Sequence, residues 1–247
     1  MAEFKFPTEV VELPSKGYFY VDGHPLSKGK VEVKYMTAKE EDILTSQNLI
    51  KQGIVIDKLL QSLIVDKTIN INDLLIGDKN AIMVAARVLG YGKDYEFTYD
   101  GEEQTVDLSK LEPKVLDFSN HTKGENQFSF DLPSSKRPIT FKLLNGHDEK
   151  DIEGELKALK KISKDNSSEL TTRLKKMILS VDGKSEIGYI NNFVDNEFLS
   201  RDSLAFRTYL TSITPDIDMS TTIDIDGEEQ EVTIPVTLRF FWPNTEV

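Results

Sequence analysis

A chain of 247 residues with a formal net charge of −12 and no cysteine can bury one large core or two smaller ones, and it has no route to disulfides, thiolate catalysis, iron–sulfur clusters or cysteine-held zinc. The charge would repel a phosphate backbone, which argues against nucleic acid as a partner; the most basic stretch, Arg173-Leu174-Lys175-Lys176, reads as a solvated helix face. At 38% hydrophobic and 29% charged residues the composition is that of a soluble globular protein, without a membrane-spanning apolar run or the apolar segment of a signal peptide, so synthesis in the cytoplasm is expected.

Residues 1–36 read as an N-terminal β extension. Val10 and Val11 lead into the turn Leu13-Pro14-Ser15-Lys16-Gly17, Tyr18-Phe19-Tyr20-Val21 reads as extended before the Asp22-Gly23 turn, and Val31-Glu32-Val33-Lys34-Tyr35 alternates as a half-buried strand should. Thr37 with Glu40 forms the signature of a capping box, and Gly53 is the expected stop of that helix. Ile56, Leu59, Leu60, Leu63 and Ile64 make one helical apolar stripe. Asp78 reads as the cap of a third helix, broken by Gly90 and Gly92, and a β-hairpin follows around residues 95–108.

Residues 112–138 carry turn and loop chemistry and read as a linker with a short strand at Phe128-Ser129-Phe130. The pattern then restarts. Ile139–Leu143 is a strand, one helix carries Ile152, Leu156, Leu159 and Ile162, and the next carries Leu170, Leu174, Met177, Ile178 and Val181. Matches recur in order: Leu63-Ile64-Val65-Asp66 with Leu179-Ser180-Val181-Asp182, Asn72-Asp73-Leu74-Leu75 with Asn196-Glu197-Phe198-Leu199, and Asp78 with Asp202. The series ends on an identical Asp-Gly-Glu-Glu-Gln at Asp100–Gln104 and Asp226–Gln230, each at the turn of a hairpin. The expected fold is therefore α+β with a tandem duplication: extension 1–36, first unit 37–111, linker 112–138 and second unit 139–247, each unit running strand, helices, hairpin.

No catalytic set assembles from these motifs. His24, His121 and His147 are isolated in loop surroundings, Gly90-Tyr91-Gly92 is no dinucleotide loop, and neither a phosphate loop nor a nucleophile elbow occurs. Asp216, Asp218, Asp224 and Asp226 fail the calcium-loop spacing and read as a solvated hairpin face. Catalytic residues, cofactors and metal ligands are accordingly expected to be none, with no small-molecule substrate. Phe240-Phe241-Trp242-Pro243 holds the lone tryptophan. It has two readings, a last strand packed into the core, which is favoured, or an aromatic anchor for a partner.

Thr37-Ala38-Lys39-Glu40-Glu41-Asp42-Ile43-Leu44-Thr45-Ser46 with Leu49-Ile50-Lys51-Gln52-Gly53 closely resembles the baseplate hub protein family of T-even-type phages. So do Ile56–Leu60, Leu75–Ala81, Asn191–Asp195 and Phe241-Trp242-Pro243, and the likeness runs over about residues 8–243. The resemblance implies a contractile-tailed phage and a non-catalytic hub component or hub-assembly protein whose partners are other baseplate hub proteins. It would act in the host cytoplasm during assembly or in the tail baseplate of the virion. Many members of that family carry Cys-Pro-x-Cys pairs at the two hairpins, a zinc-ribbon pattern. Here Tyr99-Asp100-Gly101 and Ile225-Asp226-Gly227 stand in those places, so the hairpins resemble degenerate, cysteine-free ribbons and no zinc role carries over. The chain's acidity motivates a second reading, a protein that binds and inhibits a basic host protein.

Overall fold

The structure, a computed structural model, describes residues 7–162, 168–225, 228–236 and 238–241. Asp226, Gly227, Trp242 and Pro243 lie outside the described residues, as do the side chains of Ile162 and Asp224. The fold is α+β, with small antiparallel sheets packed among helices. Strand β1 (Thr8–Glu12) pairs with β2 (Lys30–Lys34), Thr8 opposite Lys34 and Glu12 opposite Lys30. The alternation read in β2 holds, with Val31 and Val33 buried and Lys30 and Glu32 exposed. Tyr18–Val21 is not a strand; it coils through turns ahead of a 3-10 helix at Pro25–Lys28 and buries Phe19 and Tyr20.

The helix expected from Thr37 to Gly53 is two helices, α1 (Ala38–Thr45) and α2 (Gln47–Gln52). Its start is as read: the Thr37–Glu40 capping box forms, and Gly53 stops α2 in the left-handed region at φ 73°. The break falls at Ser46, which turns extended, while the Thr45 hydroxyl donates back to the carbonyls of Glu41 and Asp42. Helix α3 (Val55–Leu63) buries Leu59, Leu60 and Leu63 completely. Ile64, read as helical, lies just past the end in extended conformation and bridges antiparallel to Val33. Helix α4 (Ile76–Tyr91) runs through Gly90 and stops at Gly92. It begins two residues before Asp78, so that carboxylate is inside the first turn and does not cap the helix. Strands β3 (Asp94–Tyr99) and β4 (Glu102–Asp107) form the predicted hairpin. Asp100 and Gly101 both have positive φ, 49° and 88°, the conformation of a two-residue type I′ turn.

Strands β5 (Phe128–Asp131), β6 (Pro138–Phe141) and β7 (Ile178–Val181) form a three-stranded antiparallel sheet in that order. Helices α5 (Gly146–Ile162) and α6 (Glu169–Met177) lie between β6 and β7. The stripe read from Leu170 to Val181 splits. Leu174 and Met177 are buried on α6, Ile178 and Val181 belong to β7, and Leu170 is 45% exposed, so the first position faces solvent. Apolar residues spaced three and four apart cannot by themselves separate a helix end from a following buried strand. Helix α7 (Ile187–Asn192) continues into a π-helical turn, Phe193–Glu197, and α8 (Ser200–Ile213) leads to β8 (Ser220–Ile225) and β9 (Glu228–Thr233). Ile225 pairs with Glu228 as Tyr99 pairs with Glu102, so both hairpins have six pairs around a two-residue connection.

The main hydrophobic core draws on residues from Leu13 to Phe241. Residues 7–36 and 112–138 do not lie apart from it: Leu13, Phe19 and Leu26 from the first, and Phe128 and Leu132 from the second, are buried. The two segments also touch each other, the Tyr18 hydroxyl donating to the His121 carbonyl and the Gly124 amide to the Tyr18 carbonyl.

Two turns of like sequence are held in like manner. In Leu13-Pro14-Ser15, the Ser15 amide and hydroxyl donate to Asp78 at 2.9 and 2.6 Å. In Leu132-Pro133-Ser134-Ser135, the Ser134 and Ser135 amides donate to Asp202 at 2.6 and 3.0 Å. Each aspartate is the third residue of its helix and fully buried.

Candidate functional site

Phe240 and Phe241 sit on a 3-10 turn, Leu238–Phe241, that packs against α4. Both are fully buried, and the Phe240 ring meets Tyr95 edge-on at 5.0 Å between centroids. Neither ring is available as a partner anchor; they are core, and the Tyr95 hydroxyl reaches the Pro235 carbonyl beside them. The anchor reading of the aromatic cluster is thereby confined to Trp242 and Pro243, outside the described residues.

The structure brings together two histidines that are far apart in sequence. His147 Nε2 lies 2.9 Å and His24 Nε2 3.6 Å from the carboxylate of Asp73. His24 Nδ1 accepts from the Leu26 amide, which assigns the ring proton to Nε2, facing Asp73. The cluster ties the N-terminal turns and the start of α5 to the 3-10 turn at Ile71–Asp73. No local motif signals it, because its members are 49 and 74 positions from Asp73. Among the described residues no group of three or more His, Asp or Glu could hold a metal ion. In the acidic run, Asp216 accepts from Asn80 and from its neighbour Ile217, and Asp218 caps Ser220.

The perturbed carboxyl groups are clamps. Burial pushes Asp78 above the ordinary carboxylate range, against the pull of the Ser15 and Tyr20 donors. Burial, then the Asp78 charge, raises the Tyr20 hydroxyl far above its usual value, and Tyr20 accepts from the Leu75 amide while donating to Asp78. Burial also acts to raise Asp202, but the Ser134 and Ser135 donors outweigh it and hold that group low. For Glu40 the penalty of burial is outweighed by Lys34, Thr37 and Ser62, which bring it to about 2. Each donor is structural, and none of these groups lines the cavity walled by Ile76, Leu144, Met177 and Leu210.

Helix α8 buries Asp202, Ser203 and Phe206 and turns Arg201, Leu204, Thr208 and Ser212 outward, with Leu204 59% exposed. Ala205 is half-buried among them. Arg201 and Arg207 make no ion pair among the described residues, whereas Arg137 and Arg173 are held by carboxylates and Arg87 by backbone carbonyls. Sequence reading missed this face because nothing in the spacing distinguishes it from an ordinary solvated one. Comparison with family models, curated proteins and solved structures finds no match to this chain.

Proposed function

We propose that the chain is a structural or assembly protein of the central hub of a contractile phage tail baseplate, acting by binding other hub proteins without catalysis. The observation that carries the proposal is the stretch Thr37–Gly53 and the further likenesses that follow it in order. The hub reading is supported by surface chemistry, since the outward face of α8 joins the exposed Leu204 to two guanidinium groups free of ion pairs among the described residues. Such a face fits a partner presenting apolar side chains ringed by carboxylates.

The chain is further read as a tandem duplication. Support comes from the shared order of strands, helices and hairpin, the common hairpin register and the two Leu-Pro-Ser turns clamped by Asp78 and Asp202. On this reading the first unit begins at β1 and not at residue 37. The pair β1–β2 then corresponds to β5–β6, and the Val33–Ile64 bridge to the pairing of β6 with β7. The hairpins would stand where the family carries zinc ribbons, with tight turns in place of metal.

The test is complementation of a phage lacking this protein. Arg201→Glu with Leu204→Glu should leave the melting temperature within a few degrees of wild type, as expected of surface changes, and should abolish baseplate assembly. A folded double variant that complements fully would remove α8 from the proposal. The second reading, an acidic inhibitor of a basic host protein, rests on the charge of −12. Isolation of the tagged chain from infected cells decides between the two: tail proteins among its partners favour the hub, a basic host protein alone favours the inhibitor.

A further inference from the structure

We infer that a cleft at the seam between the two halves is a receptor for one uncharged aromatic ring. A half-open cavity of about 240 Å³ lies there, walled by Ile76, Leu144, Met177 and Leu210, with Arg173 and Glu149 also in its lining. It coincides with a division in the interior, because Leu144, Ile152 and Met177 form a small cluster of their own, separate from the main core. Backbone contacts across the seam fix the walls. The Ile76 amide donates to the Leu144 carbonyl and the Gly146 amide to the Leu74 carbonyl. Gly77 is so close to the Pro215 carbonyl that a Cβ there would lie 1.8 Å from its oxygen. The halves therefore cannot slide together to close the gap.

The chemistry of the lining selects the ligand. Arg173 donates Nη1 and Nη2 to the two oxygens of Glu149 at 2.6 and 2.9 Å and Nε to Glu169 at 3.2 Å. The Thr214 hydroxyl is spent on the Leu210 carbonyl. With three of the five Arg173 N–H donors and the Thr214 hydroxyl committed, a charged or strongly polar ligand would lose its hydration for few side-chain partners. Arg173 also offers its planar face, on which an aromatic ring stacks, and Met177 offers a thioether, which favours ring edges. A dry cavity of about 150 Å³ holds benzene, so the larger space here takes a ring of indole size. The ring could come from a free small molecule or from the side chain of a bound protein, and the site is inferred independently of the hub proposal.

The full chain, labelled with ¹³C at its methionine methyls, is titrated with indole, N-acetyl-tryptophanamide and cyclohexanol and followed by NMR. The expected result is a saturable shift of the Met177 methyl, assigned through Met177→Leu, with indole and much less with cyclohexanol. Binding of N-acetyl-tryptophanamide as well assigns the site to a protein side chain; binding of indole alone assigns it to a free molecule. Leu210→Trp fills the space and should weaken indole by about tenfold or more, with Thr214→Trp read instead if the first variant does not fold. The inference is overturned if folded wild type shows no saturable shift with indole, if cyclohexanol binds equally well, or if a folded, filled variant binds as wild type does.

Discussion

Glu40→Gln tests whether the capping box is held by charge as well as by shape. Glu40 Oε1 accepts from Lys34 Nζ and the Ser62 hydroxyl, each at 2.7 Å, and Oε2 from the Thr37 amide and hydroxyl at 3.1 and 2.6 Å. Glutamine keeps the shape, but whichever way its amide turns, its NH₂ group faces an obligate donor, Lys34 Nζ or the Thr37 amide, beside a hydroxyl that can turn to accept. The carboxyl is held at about 2 against 4.5 when free, which corresponds to about 3 kcal/mol at neutral pH. Lys34 is partly open to solvent, and screening there reduces the charge contribution to about 1–2 kcal/mol. The donor-to-donor contact adds about 1–3 kcal/mol, for a total of about 2–5 kcal/mol at pH 7. The sign follows from the lowered pKa: the stabilisation is complete above 4.5 and is lost as pH falls towards 2. Urea denaturation of both proteins at pH 7, 5, 4 and 3 should give a gap that is largest at pH 7 and narrows through the acid range, because a protonated glutamate meets the same excess of donors as glutamine does. A gap unchanged between pH 7 and pH 3, or one below about 0.5 kcal/mol at pH 7, refutes the reasoning.

Leu63→Ala should cost about 2–5 kcal/mol by lost burial and cavity formation, since Leu63 is fully buried; an unchanged denaturation midpoint would show that this stripe does not hold the core. Gly77→Ala drives a methyl into the Pro215 backbone and should destabilise by at least the ~1–3 kcal/mol of ordinary overpacking, read as a lower melting temperature. The two clamp aspartates should respond to pH in opposite senses. Asp78 is raised, so its contribution is present below 3.8 and lost as pH rises through its folded value, whereas that of Asp202 is present above 3.8 and lost as pH falls. Asp78→Asn should therefore gain on wild type with rising pH and Asp202→Asn should lose on it, and parallel stability–pH curves for the two variants would contradict the assignment. Untagged purified protein should carry no stoichiometric zinc by elemental analysis, and one zinc per chain would refute the cysteine-free hairpin reading.

The features legible in the sequence are those made by neighbours along the chain. The Thr37–Glu40 box spans three residues, the Asp100-Gly101 turn two, and the Leu59–Leu63 stripe one helical face, so each declares itself through spacing alone. What escaped depends on partners far away. Asp78 looks like a cap because a short acid near a helix start usually is one; its donors are Ser15, 63 positions earlier, and Tyr20, 58 earlier. Ile178 and Val181 look helical until β6 supplies the strand they pair with. Phe128 and Leu132 stand among prolines, serines and lysines that spell a linker, and only the packed structure shows them buried. The like turns Leu13-Pro14-Ser15 and Leu132-Pro133-Ser134 escaped for the same reason, lying in segments whose composition argues for an extension and a linker. For the candidate surface, Phe240 and Phe241 were ambiguous because aromatic clusters serve cores and interfaces equally well, and burial resolves them.

Charge separates the work of folding from the work of binding in this chain. The buried carboxylates are committed: Glu40 to a helix start, Asp78 and Asp202 to two turns. Removing any of them leaves donors unpaired inside the protein, so a loss of function in such variants would report unfolding and say nothing about partners. Arg137 is likewise committed, bonded to Asp182, Glu197 and Tyr189 and lying over the Phe193 ring. Arg201 and Arg207 carry no such debt among the described residues, and they flank an exposed leucine on a helix whose opposite side buries Phe206 and the Asp202 clamp. The same helix thus presents one face on which substitution unfolds the protein and another on which substitution should leave the fold intact. Asp202→Ala and Arg201→Glu, one residue apart, should therefore fail differently in complementation: the first with a lowered melting temperature, the second without one. If both lower it equally, the outward face belongs to the fold and the partner must be sought on the hairpins.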